Sequence, residues 1–252
     1  TTNWLPYSWS INNVAFAEVM HTSLSYFQAG RYENGFQLLK SSILDGMYLG
    51  GSPGNFGQIS FYDAARGESY RDFGDPIGVA SRVFVQGLYG ITPDAMNRKL
   101  VIKPGFPRNW NFAQLTTPDV SFDFKRTMNE GALDTYLIKN NLENIDSLEL
   151  QLPAPSDRIV GITANGKKTA WKIKPKSIDQ PVIIIRLPIK KGIFVELKID
   201  WSGEKINTDN SVKKTFRTGD ELSFESRNQI VDFYDPQRVL ENPSIVDSKR
   251  LK

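Results

Sequence analysis

The period of the hydrophobic pattern changes once along this chain, and that change constrains the fold more than any other feature. Up to residue 89, apolar side chains recur at spacings of three and four, as in amphipathic helices. After a Gly-Ile-Thr-Pro sequence at residues 90–93, they recur at a spacing of two, as in β-strands. The sequence therefore predicts an α-then-β chain, with a mostly antiparallel β-domain following the helices.

Three helices are predicted before the change of period, at about residues 12–29, 31–48 and 77–89. The apolar stripe of the first consists of Val14, Ala17, Met20, Leu24 and Phe27. Gly30 suits the positive φ that commonly ends a helix, so the first two helices should form an antiparallel hairpin with a very short turn.

Short β-rich runs follow, separated by turn signals such as Asn165-Gly166. They cover residues 100–102, 120–126, 133–138, 148–152, 159–164, 169–173, 182–187 and 193–199. This regular spacing is typical of a β-sandwich. The predicted organisation is a helical part at 1–95 with a long loop at 50–76, a linker at 96–114, an antiparallel β-sandwich at 115–234, and a tail or further domain at 235–252.

Composition excludes several function classes. The chain has no cysteine, which removes disulfides, thiolate chemistry and Cys-based zinc sites. The formal net charge of +3 is too small to indicate a nucleic-acid partner. The apolar run at 182–187 is interrupted by Arg186 and is far too short to span a membrane. No phosphate-binding or dinucleotide-binding motif is present, so no cofactor is predicted.

The glycine-rich loop at 50–76 is the first candidate site, because loops of this length in compact proteins are usually functional. It carries crowded charged residues: Asp63, Arg66, Glu68, Tyr70, Arg71, Asp72 and Asp75. Neighbouring carboxylates can have their pKa values driven apart, as general acid–base catalysis requires. The structural alternative is that Asp75 caps the third helix, with Pro76 at its first position, and that Arg71 and Asp72 form an ion pair.

The first helix carries the chain's one histidine, His21, three residues after Glu18. The pair is half of a bundle-type metal site, but no second histidine exists to complete it, so no metal is predicted. Glu18 and His21 are instead candidates for substrate contact, and the alternative is a buried histidine paired with a carboxylate. Trp9 is a candidate for stacking against a sugar ring.

Three motifs resemble the closing part of a six-hairpin glycosidase, a superfamily that includes bacterial α-L-rhamnosidases. They are the segments at 18–31 (Glu-Val-Met-His to Gly-Arg), 87–93 (Gly-Leu-Tyr-Gly-Ile-Thr-Pro) and 100–110 (Leu-Val-Ile-Lys-Pro to Trp), and the resemblance covers about residues 4–125. It implies the last helices of an (α/α) toroid followed by an antiparallel β-sandwich. It also implies an oligo- or polysaccharide substrate, with catalytic carboxylates at Glu68, Asp72 or Asp75. We expect substrate contacts from Glu18, His21, Trp9, Tyr70 and Arg71.

A toroid needs more helices than three, so the resemblance implies that further helices belong to a parent chain, which we expect to be periplasmic or secreted. The composition fits the cytoplasm as well. Two other functions remain open. One is a polysaccharide lyase, in which His21 and Tyr70 act on a proton and Arg71 neutralises a uronate. The other is a non-catalytic carbohydrate-binding or structural piece.

Overall fold

A computed structural model describes residues 13–14, 16–49, 59–60, 74–128, 131–175, 177, 179–206, 215–225, 230, 233, 235, 237–247 and 250–251. Its contacts divide the chain into two compact units, Thr1–Thr208 and Asp209–Lys252. The second unit contains a small sheet in the order β14-β16-β15, formed by β14 (Phe224–Glu225), β15 (Ile245–Val246) and β16 (Arg250–Leu251).

Three helices lie in the described part of the first unit. They are α1 (Phe16–Ala29), α2 (Tyr32–Ile43), which continues as a π-helix at Leu44–Leu49, and α3 (Gly74–Arg82), which continues as a π-helix at Val83–Leu88. Gly30 joins α1 to α2 with a φ of 87°, the conformation that the sequence predicts for it. Met20, Leu24 and Phe27 of the predicted stripe are buried.

Phe27 holds the helical part together through three glycines that we call the glycine cage: Gly35 in α2, Gly87 in the second π-helix and Gly105 in the following segment. A Cβ atom at these positions would lie 2.9, 2.7 and 2.5 Å, respectively, from carbon atoms of the Phe27 ring. Only glycine allows the three backbones to approach the ring this closely. The cage therefore fixes α1, α2 and the chain leaving the helices around one buried aromatic side chain.

The strands follow the period-two pattern. In chain order they are β1 (Asn13–Val14), β2 (Ile59–Ser60), β3 (Ile91–Asp94), β4 (Lys99–Ile102), β5 (Phe112–Thr116), β6 (Val120–Met128), β7 (Ala132–Asn140), β8 (Ser147–Pro153), β9 (Ser156–Ala164), β10 (Lys167–Lys168), β11 (Trp171–Ile173), β12 (Val182–Pro188) and β13 (Phe194–Lys205). Strands β1 and β2 pair with each other. The rest form sheet 1, in the order β10-β9-β13-β7-β6-β5, and sheet 2, in the order β11-β12-β8-β4-β3.

Sheets 1 and 2 share one hydrophobic core with the helices. Alternate residues of β7 and β13 are buried, including Ile138, Leu197 and Ile199. Leu148, Leu150 and Leu152 contribute the buried face of β8 in sheet 2. This alternation is what one buried sheet face requires.

The predicted fold class, the last helices of an (α/α) toroid followed by an antiparallel β-sandwich, is wrong. The described residues contain three short helices, and their regular structure is mostly strand in two large sheets. The second π-helix ends at Leu88, and β3 begins at Ile91 and pairs at once with β4. The apolar stripes of the helices are thus buried against each other and in the core of the β body, not in a helical ring. Sheet 2 is also mixed, because β4 pairs with β8 in parallel.

Residues 103–111, which we call the junction segment, tie the helices to the sheets. The Gly105 N–H donates to the Leu88 carbonyl at 2.9 Å, and the Lys103 N–H donates to the Gly90 carbonyl at 3.0 Å. The Arg108 N–H donates to Oε1 of Glu33 in α2 at 2.9 Å. Trp110 packs edge-on against Phe36 of α2, with ring centroids 5.2 Å apart. The junction segment thus contacts the helices at several points before β5 begins.

Candidate functional site

The structure separates the predicted site residues into two groups. Trp9, Glu68, Tyr70, Arg71 and Asp72 lie outside the described residues. The described ones are Glu18, His21 and Asp75, and all three are exposed. Their assignment to catalysis and substrate contact stays a prediction.

Glu18 and His21 lie about one turn apart on α1. His21 is exposed, which excludes the alternative that it is a buried core histidine. The backbone carbonyls of both residues accept hydrogen bonds of 2.9 Å from hydroxyls one turn later, those of Thr22 and Ser25. Within the described ranges, no three His, Asp or Glu side chains are close enough together to hold a metal ion.

Asp75 lies in the first turn of α3, which begins at Gly74. Its carboxylate is exposed, while the following Pro76 is buried. A negative charge in this position complements the positive end of the helix dipole. Asp75 therefore has a structural reason to be at the helix start, independent of any catalytic role.

A cavity of about 490 Å³ lies beside the junction segment, entirely within the first unit, and we call it the junction cavity. The junction segment forms one wall, the ends of β6, β7 and β13 form another, and the turn from β8 to β9 together with Gln180 completes it. Its volume is in the range of small-molecule and cofactor sites, which is about 300–1,000 Å³. The junction cavity is therefore a candidate binding site.

Four aromatic side chains line the junction cavity: Phe106, Trp110, Phe124 and Tyr136. They form a continuous stacked series. Trp110 stacks on Phe106 at 5.8 Å, Phe106 on Phe124 at 5.6 Å and Phe124 on Tyr136 at 4.9 Å between ring centroids. Phe124 and Tyr136 are directly opposite each other in β6 and β7. These contacts hold the rings rigidly, and Phe106 and Trp110, which are only partly buried, present a pre-formed apolar surface.

A largely buried ion pair lies two register positions further along the same two strands, on the same face. Arg126 donates to Asp134 through Nε and Nη2, at 2.6 and 2.7 Å. The Trp201 indole N–H adds a third hydrogen bond to Asp134, at 3.0 Å. Burial alone would lower the pKa of Arg126, but the hydrogen bonds and charge of Asp134 outweigh burial and raise it. Arg126 therefore stays charged at the cavity wall.

Tyr136 is the buried hydroxyl-bearing residue of the cavity. Burial is the main cause that raises its pKa well above the ordinary value of 10.0, the negative charge of Asp134 raises it further, and the charge of Arg126 opposes them. Its phenol is therefore protonated at neutral pH. The protonated hydroxyl is a hydrogen-bond donor.

The period-two pattern predicts strands that contain Phe124, Arg126 and Tyr136 but does not identify these residues as part of a site. The positions of the charged residues in that pattern could have indicated the site. Arg126 has the same parity as the buried Val120, Phe122 and Phe124, and Asp134 has the same parity as Tyr136. A charged residue on the inward side of a strand needs a partner or a function.

Comparisons with known proteins identify no family. Neither the models of known protein families nor the curated proteins contain a match to this chain. The resemblance to six-hairpin glycosidases thus has no support from these comparisons, and the site must be interpreted from its geometry. Within the described residues, no helix is both long and apolar enough to cross a membrane.

Proposed function

We propose that this chain binds carbohydrate in the junction cavity and belongs to a glycoside hydrolase. One observation carries the proposal: four stacked aromatic side chains line a cavity that is also rich in hydrogen-bonding groups. The CH groups of sugar rings pack against aromatic faces, and their hydroxyls need polar partners at the edges. Asn109, Asn111 and Gln180 line the cavity and can supply such partners.

The described lining favours binding over bond cleavage in the cavity itself. Glycoside hydrolysis requires two carboxyl groups that flank the bond. The described lining residues include no Asp or Glu. Hydrolysis would therefore be carried out elsewhere, by Glu68, Asp72 or Asp75, and the cavity would hold a more distant part of the sugar chain.

Calorimetric titration of the chain with a panel of plant and microbial oligosaccharides tests the proposal. Tyr136→Phe removes only the phenolic hydroxyl and keeps the ring, so we expect it to weaken binding of the best ligand by about 3- to 10-fold. Tyr89→Phe is the matched control, because the Tyr89 hydroxyl donates to the Gln114 carbonyl at 2.7 Å and the residue does not line the cavity. The control should bind as the unmodified chain does.

Two results would overturn the proposal. One is the absence of binding to every oligosaccharide of the panel. The other is equal loss of affinity in Tyr136→Phe and Tyr89→Phe, because that loss would come from the shared aromatic core and not from contact with the sugar.

A further inference from the structure

Among the described residues that line the junction cavity, the charged side chains are all cations. Arg108 extends from the junction segment, Arg126 from β6 and Lys205 from the end of β13. No carboxylate accompanies them among the described lining residues. Arg108 and Lys205 are exposed, so their attraction for an anion is screened by salt, whereas the side chain of Arg126 is 14% exposed and lies in a region of lower dielectric.

Arg126 is only partly engaged by Asp134. A guanidinium has five N–H donors, and the two hydrogen bonds to Asp134 use one donor on Nε and one on Nη2. The Nη1 group has no acceptor among the described residues. It therefore remains able to donate to an acceptor in the cavity.

Three carboxylates lie close to lining residues, and none of them lines the cavity. Glu33 accepts the backbone N–H of Arg108 at 2.9 Å, and Asp157 accepts the backbone N–H of Glu204 at 2.9 Å. Glu204 itself lies between the lining residues Gly203 and Lys205. Asp134 is buried, 1% exposed, and bonded to Arg126 and Trp201. Within the described lining, the positive charge of Arg108 and Lys205 is thus uncompensated.

We infer that the ligand of the junction cavity is an acidic oligosaccharide whose sugar carries a carboxylate, as a uronic acid does. This inference rests on the proposed function and names the class of sugar. The planar fork of an arginine matches the two oxygens of a carboxylate, and the Tyr136 hydroxyl adds a neutral donor. The aromatic series provides the apolar surface against which the ring packs.

A pair of ligands that differ in charge, with one methyl group added per carboxyl group, tests this inference. Short oligogalacturonides and the same oligosaccharides with every carboxyl group methyl-esterified are titrated into the chain by calorimetry. We expect the acidic form to bind about tenfold more tightly, because its hydrogen bonds to cations are charged. The affinity of the acidic form should fall as salt is added, and that of the ester should not.

Substitutions of the cavity cations test whether the preference for the acidic oligosaccharide arises in the junction cavity. Lys205→Met should weaken binding of the acidic form about two- to fivefold and leave binding of the ester unchanged. Lys168→Met is the matched control, because Lys168 is exposed on β10 and does not line the cavity. Arg108→Met provides a second, independent removal of cavity charge.

The outcomes separate the two proposals. Equal affinity for the acidic and esterified forms would overturn the acidic-sugar inference and leave carbohydrate binding intact. Binding of neither form, nor of any neutral oligosaccharide, would overturn both. An acidic preference that survives both Lys205→Met and Arg108→Met would show that the charge is recognised elsewhere, which also overturns the inference.

Discussion

Arg126 and Asp134 are opposite each other on β6 and β7, and two hydrogen bonds of 2.6 and 2.7 Å join their side chains. Their side chains are 14% and 1% exposed. Paired, they leave no unbalanced charge beneath the cavity. With one partner removed, the other would be a buried charge without compensation, which costs far more than a surface ion pair contributes.

Asp134→Asn should therefore destabilise the chain by about 3 kcal/mol, because it leaves Arg126 charged and poorly solvated. Urea unfolding measures the free energy. Glu196→Gln is the control, since Glu196 pairs with Lys198 at 3.0 Å on an exposed part of β13 and should cost less than about 1 kcal/mol. Replacing both residues, as Arg126→Met with Asp134→Leu, should recover most of the loss. Equal effects of Asp134→Asn and Glu196→Gln would contradict this interpretation.

The glycine cage predicts a second contrast. Gly105→Ala would place a methyl group 2.5 Å from the Phe27 ring and 3.0 Å from the Gly87 carbonyl oxygen, so we expect a loss of about 1–3 kcal/mol. Gly78→Ala, in the interior of α3, meets nothing within 4 Å and should stabilise by about 0.5–1 kcal/mol. Thermal unfolding followed by circular dichroism compares the two. If both substitutions shift the midpoint in the same direction, the cage does not constrain the helices.

Lys103 predicts a pH dependence. Burial, with a further contribution from the charge of Lys174, lowers the pKa of Lys103 from 10.5 to about 8, while its Nζ donates to the Gln28 carbonyl at 2.7 Å. Between these two pKa values the unfolded chain binds more protons than the folded chain, so folding stability rises with pH. Below pH 8 both states are protonated and the cost of the buried charge is fully present.

Lys103→Met should remove that dependence. We expect the unmodified chain to gain about 1 kcal/mol relative to Lys103→Met between pH 7 and pH 10, less than the pKa displacement alone implies, since the side chain is partly solvated. Denaturant unfolding across this range measures the difference. Lys172→Met, at an exposed position on β11, is the control, and its unfolding free energy should change with pH as that of the unmodified chain does. If the unfolding free energies of Lys103→Met and of the unmodified chain change equally with pH, Lys103 has an ordinary pKa and this interpretation is wrong.

The predicted catalytic carboxylates can be tested by amide substitution. If one of Glu68, Asp72 and Asp75 is the general acid or base, its amide should lower the rate of oligosaccharide hydrolysis about 10²–10⁴-fold. Asp119→Asn, at an exposed position before β6, is the control and should keep full activity. If all three amides stay within a few-fold while remaining folded, the loop at 50–76 holds no catalytic carboxylate, and Glu18 becomes the residue to test.

Local structure was predictable because it depends on neighbouring residues. The stripe of Met20, Leu24 and Phe27 identified α1, and period-two runs identified β6, β7, β8 and β12 within a few residues of their ends. The Asn165-Gly166 turn also has the predicted conformation, with φ values of 48° and 76°. Each of these signals lies within one short segment of the chain.

Long-range structure was not predictable from the same signals. An apolar stripe shows that a helix face is buried but not which surface covers it, which is why the toroid prediction failed. The parallel pairing of β4 with β8 joins segments far apart in sequence, and the pattern of either strand fits an antiparallel partner equally well. The junction cavity likewise depends on residues from β6, β7, β13 and the junction segment that no local motif links.

The parallel pairing of β4 and β8 also has a kinetic consequence. The chain between these strands, residues 103–146, contains the whole β5-β6-β7 meander. The meander can form through local hairpins, whereas the β4–β8 contact must close a long loop at a larger cost in chain entropy. We therefore expect the meander to form early and sheet 2 to be completed late. Substitutions in β4 should then accelerate unfolding more than they slow folding.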